Sequence, residues 1–470
     1  MTISALKRCQ VAREATAGTK VAATAKIPGK LTMEEKMVLH RPEEERGSLA
    51  SNHRTVLVGE SVEMAFEGDL TFEQIMWWLA SGIHNRVYGD TANPTGAKHN
   101  DNGVYTNLTN AFDGAPGTSV TIVTFTAAQD YIQIRSASKF RAVRVDIGGT
   151  PNALASTISA VHFSDGASGW LAGTLVRDGT LSGAGTASLA QDGVIEFTPH
   201  ASWLSDTVDG DAGFWVRITW NGNWTASVVI LDFYTIPFVT VWTYDPSLTA
   251  ANTPQSLTVE YGDNTQEHEA EYGIVSDLEF SWAMDEPMKV KASLFGRNMA
   301  ASTFTSLSDP TGLETAIGNK TRLYINATGG TIGSTEKTST IIDGSIKLET
   351  GFKSVKHGTA NLFSMDGLAE NKKQITADMT LVFNSGVETE RTMYAAGTRR
   401  LFRVQSTGSL ISGSDYKSIT FDFAGVYTKF STLEEKDGET TVSVTIEGEY
   451  DATWAKLFTV VVQNTTGALA

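Results

Sequence analysis

The sequence predicts a mainly β protein, and three observations predict it. Glycine (43) far outnumbers proline (11) among the 470 residues, and Thr, Ser and Val are abundant, as expected for many short strands joined by turns. Clean period-2 alternation of apolar and polar residues recurs in several segments. Helical periodicity, by contrast, is strong in one stretch and weak in a second. The length allows about two to four domains. With 41% hydrophobic and 19% charged residues, the chain is expected to fold rather than stay disordered.

Charge and composition narrow the function classes. There are 37 basic and 53 acidic residues, a net charge of −16, which argues against wrapping nucleic acid, because phosphate binding needs clustered Lys and Arg. No stretch approaches the roughly 20 apolar residues of a membrane helix, and no apolar run follows the basic N-terminus as in a secretory signal. The lone cysteine, Cys9, excludes an internal disulfide framework and a thiolate zinc site.

Taken in order, the segment to about residue 55 has weak periodicity. Its dense charged stretch, Glu34-Glu35-Lys36 and then Arg41 to Arg46, reads as a solvated loop or arm, or as a segment that orders against a neighbouring subunit. Over 60–68, Val62, Met64 and Phe66 alternate with Ser61, Glu63, Ala65 and Glu67, a half-buried strand. Thr71-Phe-Glu-Gln74 fits a capping box. Phe72, Ile75, Met76, Leu79 and Ile83 then share one helical face, which Trp77 and Trp78 widen and Gly82 stops.

The stretch 86–103, rich in Gly, Asn, Asp, Thr and Pro, reads as a linker. Beyond it, to residue 235, Lys139 is the only lysine, and Trp170, Trp203, Trp215, Trp220 and Trp224 fall among short strand-like runs. Those runs (119–126, 131–135, 142–147, 193–197, 214–220 and 227–233) predict a compact all-β sandwich. Its tryptophans are expected in the core, with one or two available as an outer sugar-stacking platform. After 236 the strands lengthen. Leu257, Val259 and Tyr261 alternate with Thr258 and Glu260; Leu278, Phe280 and Trp282 with Asp277, Glu279 and Ser281; and Met288 to Leu294 with Lys289, Lys291 and Ser293. Met284-Asp-Glu-Pro287 turns 274–295 into a hairpin.

The C-terminal part repeats this grammar. Ser256–Tyr261 resembles Ser418–Phe423, Gly273–Leu278 resembles Gly425–Phe430, and Met288–Gly296 resembles Thr440–Gly448. Strand 375–383 and a weak helix near 387–396, closed by Gly397, parallel strand 60–68 and helix 71–83. Removing 99–235 leaves 1–98 with 236–300, and 301–470, two stretches of nearly equal length. That equality predicts a duplicated domain whose first copy hosts an insertion, which an exposed loop tolerates.

No motif carries catalytic or metal chemistry, so no catalytic, cofactor-binding or metal residue is assigned and no enzyme is expected. The eight histidines, His40, His53, His84, His99, His162, His200, His268 and His357, show no metal-ligand spacing. Asp206, Asp209 and Asp211 form an acidic loop without a calcium-loop pattern. Gly183-Ala-Gly185 and Gly329-Gly330 lack the Lys-Ser/Thr of a P-loop, and no Gly-x-Ser-x-Gly elbow occurs.

The opening Leu6-Lys-Arg, then Ala12-Arg-Glu-Ala-Thr-Ala-Gly-Thr-Lys-Val-Ala-Ala-Thr24, resembles the start of long-tailed bacteriophage tail tube (major tail) proteins. So do the strand–helix 62–79, the run Trp242-Thr-Tyr-Asp-Pro-Ser-Leu-Thr249 with Ser256–Asp263, the hairpin 273–296 and its C-terminal copy. The resemblance covers 1–98 and 236–470. Asp165–Trp170 and Asp209–Arg217 look more loosely like sandwich segments of phage tail and adaptor proteins.

The resemblance implies two tandem tail-tube β-barrel or sandwich domains, each with a flanking helix: 1–98 with its arm and inter-ring loop plus 236–300, then 301–470. The inserted β-sandwich domain 99–235 would face outward. Copies would stack as rings into a tube that passes DNA during ejection. Single-copy members form six-subunit rings, so trimers with pseudo-sixfold symmetry are implied, hexamers being the alternative. The implied partners are further copies, a tape measure protein, a tail terminator and baseplate or tip proteins. The implied location is the virion, with assembly in the host cytoplasm and no cofactor or membrane insertion. A carbohydrate- or host-surface-binding adhesion role of the insertion is the alternative. Glu63, Glu67, Glu260, Asp277 and Glu279 are candidates for the lumen, where negative charge would repel DNA, with Lys289 and Lys291 paired to Asp277 and Glu279.

Overall fold

The computed structural model describes residues 6–47, 52–86, 88, 89, 91–115, 117–263, 265–358, 361–412, 414–436 and 438–469. Met1–Ala5 of the expected arm lies outside them. The fold is mainly β, as the composition and alternation predict. The chain divides into two compact units, the first formed by Met1–Val87, Val241–Asn464 and Leu469–Ala470, the second by Tyr88–Thr240 and Thr465–Ala468.

The expected borders fall differently. Strands Gly96–Asp101, Val228–Pro237 and Met299–Ser302 run across 98/99, 235/236 and 300/301. The stretch 86–103 is not simply a linker, because Gly96–Asp101 pairs with both Tyr131–Ser136 and Val104–Asn107. Its polar letters hide a buried strand.

The first unit begins with β1 Arg8–Arg13, β2 Lys30–His40, β3 Val56–Asp69, α1 Ile75–Gly82, β4 Leu257–Gly262, β5 Glu267–Ala283 and β6 Lys289–Gly296. It continues with β7 Thr321–Ala327, β8 Ile341–Glu349, β9 Gln374–Val382, α2 Ser385–Ala395, β10 Arg400–Ser412, β11 Asp415–Phe430, β12 Glu434–Lys436, β13 Glu439–Gly448 and β14 Phe458–Asn464. The charged stretch at 34–46 is therefore a strand as far as His40. Leu31 and Met33 turn inward across from Phe66 and Met64, and this apolar alternation outweighs the charges between.

The two halves are paired identically. In the first, antiparallel neighbours run β1-β4-β5-β6-β3-β2. In the second they run β7-β10-β11-β13-β9-β8. Even the β-bulge is repeated. Register slips between Val275 and Asp277 opposite Leu294 and Ser293, and between Tyr427 and Lys429 opposite Ile446 and Thr445. Every residue of the first slip lies 152 positions before its counterpart, as Gly273 does before Gly425. A bulge bends its strand and raises local twist, and it falls where each long strand has changed partner, β5 from β4 to β6 and β11 from β10 to β13. A single core draws on both halves, with Phe66, Trp78, Phe280, Ile346, Phe402, Phe421 and Val444 among its members. The copies are thus one compact body rather than two separately packed domains.

The helices differ between copies. Every residue of α1 is buried, and Trp78 packs 4.7 Å from Phe66. The expected capping box does not form. Gln74 Nε2 donates to the Lys26 carbonyl at 2.9 Å, Thr71 bridges Thr315, and the helix starts only at Ile75. In α2, Asn384 caps the start by accepting from the N–H groups of Gly386 and Val387, and only Val387 and Glu390 are buried. Glu390 receives two bonds from Arg400, at 2.9 and 3.0 Å, and Lys337 at 3.1 Å, so a buried charge network replaces the apolar face of α1.

The second unit is a sandwich. One sheet runs Trp170–Ala172, Ile158–Ser164, Asp211–Trp220, Tyr131–Ser136, Gly96–Asp101, Val104–Asn107, with Asp206–Val208 at its side. The other runs Thr174–Asp178, Gly193–Thr198, Phe140–Ile147, Val228–Pro237, Val120–Ile122. Ile134, Phe163 and Val216 of the first sheet meet Val145, Ile195 and Ile230 of the second in one core.

Gly425 marks the corner of β11, where a Cβ would lie 2.6 Å from the Glu447 carbonyl oxygen and 2.9 Å from Ile446 Cγ2. Gly425→Ala is expected to cost about 2 kcal/mol through overpacking, read as a lowered Tm by calorimetry. An unchanged Tm would mean that the corner yields without strain.

Candidate assembly interface

The two copies meet where β5 pairs antiparallel with β8, from Asp277 opposite Glu349 to Ala283 opposite Asp343. On the inward side Leu278 faces Leu348, and Phe280 faces Ile346, all buried. Trp282 lies over Gly344, where a Cβ would come within 2.7 Å of the indole. Each such side chain contributes about 1.5–3 kcal/mol by leaving water, so the seam is a continuation of the core. On the outward side, Lys347 Nζ lies 2.9 Å from Glu349 and Lys291 Nζ lies 3.8 Å from Glu279. The Glu349 hydrogen bond holds the Lys347 ammonium above its ordinary value, with Asp277 and Glu279 adding to the pull.

This seam makes one continuous sheet, β2-β3-β6-β5-β8-β9-β13-β11, with β12 extending its last edge. Its two outermost edges are unpaired among the described residues. Beside them, Met33 of β2 and Phe430 of β11 are only partly buried, packed on the margin of the core. Beyond the sheet body, β2 and β3 continue as a two-stranded ribbon to His40 opposite Val56. Met37, Val38, Leu39, Val56 and Val58 on that ribbon are between 40% and 53% exposed. An apolar cluster of this kind on a surface marks a contact site more often than a scattered residue does.

One face of the continuous sheet covers the core and the other is polar. Glu63, Glu67, Asp277 and Glu279 stand on the polar face, joined by Glu34, Asp343, Glu349 and Asp378. Lys30, Lys36, Lys289, Lys291, Lys347 and Lys429 partly balance them. Glu260 does not belong there. It is buried, accepting from Gln10 Nε2 (3.1 Å), Thr305 N (2.9 Å) and Thr305 Oγ1 (2.7 Å). Lys289 sits opposite Ser281 and Asp69 rather than Asp277, because the hairpin register that pairs Lys291 with Glu279 runs unbroken to Asp277, which it sets opposite Ser293.

Strands β2 and β8, which form one open edge and one side of the seam, were not singled out from the sequence. The signal is present: Leu31 and Met33, and Ile346 and Leu348, alternate with polar neighbours. Charged residues at every second position concealed it.

In the second unit Trp203, Trp215, Trp220 and Trp224 are buried. Trp224 stacks on Phe125 with ring centroids 3.8 Å apart. Trp170 is half-buried beneath the Arg217 guanidinium, 4.4 Å from its ring centre. His99 is buried 3.8 Å from Asp130, and burial lowers its pKa. The acidic loop faces cations of the chain itself. The Lys98 ammonium lies 2.8 Å from both Asp209 and Asp211, and Arg135 lies 3.1 Å from Asp211, while Asp206 accepts from the Ser168 N–H. The Lys98 hydrogen bond holds the Asp211 carboxyl below its ordinary range.

Compared with known proteins, the chain matches no family model and no curated relative.

A carboxyl depressed on folding contributes stability above its unfolded pKa, and that contribution is lost as pH falls through the folded value. Acidification below about pH 4 should therefore destabilise the second unit. Lys98→Met should lower its Tm at pH 7 and flatten this acid slope, as followed by Trp fluorescence melts across pH. An unchanged slope would remove Asp211 from the account.

Proposed function

We propose that this chain is a structural protein of a long-tailed bacteriophage tail, assembling with copies of itself into stacked rings that form the tube DNA traverses. One observation carries the reading. The chain holds two copies of the same six-strand unit, already joined edge to edge, and the sheet they form is left open at both ends among the described residues. Open strand edges invite pairing, and a head-to-tail interface whose rotation closes makes a ring. Three chains would supply six copies.

In such a ring the polar sheet face would line the bore. Its surplus of carboxylates would repel phosphate, so DNA would slide without sticking. The apolar ribbon of β2 and β3 would meet the neighbouring ring. A tape measure protein inside the bore, and terminator and tip proteins at its ends, are the partners this role requires. The work is geometric and electrostatic and involves no reaction.

Negative-stain and cryo-electron microscopy of the purified chain test this. Stacked rings with three chains each are expected; a monomer at all concentrations, or six chains per ring, would overturn the respective part. Met37→Asp combined with Leu39→Asp should leave rings but abolish stacking, seen as loss of tubes with retention of the ring mass. Tubes of normal length would exclude the ribbon from the ring-to-ring contact.

A further inference from the structure

The seam inside the chain specifies the seam between chains. Strands β2 and β3 map onto β8 and β9 at a spacing of 313 residues, as Met33 opposite Met64 maps onto Ile346 opposite Ala377. Strands β5 and β6 map onto β11 and β13 at a spacing of 152, bulge included. The first copy's β5 is occupied by β8 of the second. The equivalent of β5 in the second copy is the end of β11, and the equivalent of β8 in the first copy is β2. These are the two open edges.

We infer that the end of β11 in one chain pairs antiparallel with β2 of a second copy of this chain, in the register of the β5–β8 seam. The inference rests on the ring-forming role proposed above and fixes its contact. Transferring the internal pairs Asp277–Glu349, Leu278–Leu348 and Glu279–Lys347 places Lys429, Phe430 and Ser431 opposite Lys36, Glu35 and Glu34 of the second copy. The half-buried Phe430 would then gain cover from the neighbouring strand.

The charges agree with this occupant. Inside the chain, Asp277 and Glu349 meet as like charges, relieved by Lys347 alongside. Between chains the signs are reversed, with Lys429 and Lys36 meeting and Glu34, 2.8 Å from Lys36, in the place of Lys347. Both seams thus set a like-charge pair beside one opposite charge, while Glu279, which faces Lys347 inside the chain, has the uncharged Ser431 as its counterpart between chains. The backbone is ready as well. The Ser431 N–H donates to the Ser443 carbonyl at 2.8 Å, which turns this residue's hydrogen bonding toward β13 and leaves its neighbours' groups to the open side.

Disulfide trapping in the full chain tests the register. Cys9 is buried, and burial pushes its thiol up to about 12, so introduced cysteines dominate the chemistry. Ser431→Cys with Glu34→Cys should give an intermolecular ladder on non-reducing gels from assembled rings. Glu279→Cys with Lys347→Cys should give a crosslink within one chain. Ser431→Cys with Glu35→Cys, one residue out of register and facing the other side, should give on the order of tenfold less. Lys429→Cys with Lys36→Cys serves as an independent pair should the first variant fold poorly. Rings or tubes that form without a ladder from either in-register pair would overturn this register while leaving the tube reading intact. A ladder from the out-of-register pair alone would do the same. A chain that stays monomeric while its internal crosslink forms would overturn both.

Discussion

The first unit depends on closing the edge of β5. A strand that ends a sheet presents a row of N–H and C=O groups that water or another strand must satisfy. In the first copy that row runs along Asp277–Ala283 and is satisfied by β8 of the second copy. The same pairing brings Phe280 and Ile346 into one interior and sets Phe280 4.7 Å from Phe421. Without it the edges of β5 and β8 would both be bare, and with it the two copies share one sheet and one core.

Repetition of the register explains which parts of the duplication persist. The bulge, the corner glycines Gly273 and Gly425, and the order of six strands are the same in both copies, because a one-residue slip would turn every inward side chain to the other face. The helices are less constrained. One is wrapped by core on all sides, and the other lies half in water with Glu390 anchoring Arg400 and Lys337 beneath it. A helix needs only a cover for the sheet beneath it, and an apolar face or a paired buried charge can each supply that cover, at different stability and specificity.

The strands, the hairpin at Met284–Pro287 and the glycine spacing were legible in the sequence because alternation and turn chemistry are local. What was lost was tertiary in origin. Gly96–Asp101 reads as loop, since its buried Lys98 and Asn100 are polar and only the paired Asp209 and Asp211 make Lys98 tolerable in the interior. Lys30–His40 reads as a charged arm, since half its positions are meant for water. Glu260 alternates like a surface residue, yet Gln10 and Thr305, which lie 250 and 45 residues away in the chain, enclose it. Thr71 and Gln74 form a capping pattern that a nearby carbonyl, that of Lys26, disrupts. No window of neighbouring residues contains these partners. For the candidate interface the repeat was visible in Gly273–Leu278 and Met288–Gly296, whereas Ser256–Tyr261 answers to β10 and not, as its letters suggest, to Ser418–Phe423 of β11; which edges the repeat leaves open follows only from the pairing.

On the proposed reading, the contrast between closed and open edges suits a chain that stays alone before it assembles. The internal seam is oily on its inward side, with Leu278, Phe280 and Trp282 against Leu348 and Ile346, and it is never exposed because its strands share one polypeptide. The open edges carry Glu34, Glu35, Lys36 and Lys429 around a single half-buried Phe430 and Met33. Charges beside a bare edge discourage indiscriminate pairing. On the proposed reading, tethering makes half of the copy-to-copy contacts intramolecular and thus independent of concentration. Only the remaining, more polar seams respond to how much chain is present and to what else has begun to assemble. Duplication would then simplify ring construction by separating a contact that is always made from one that waits for its neighbour.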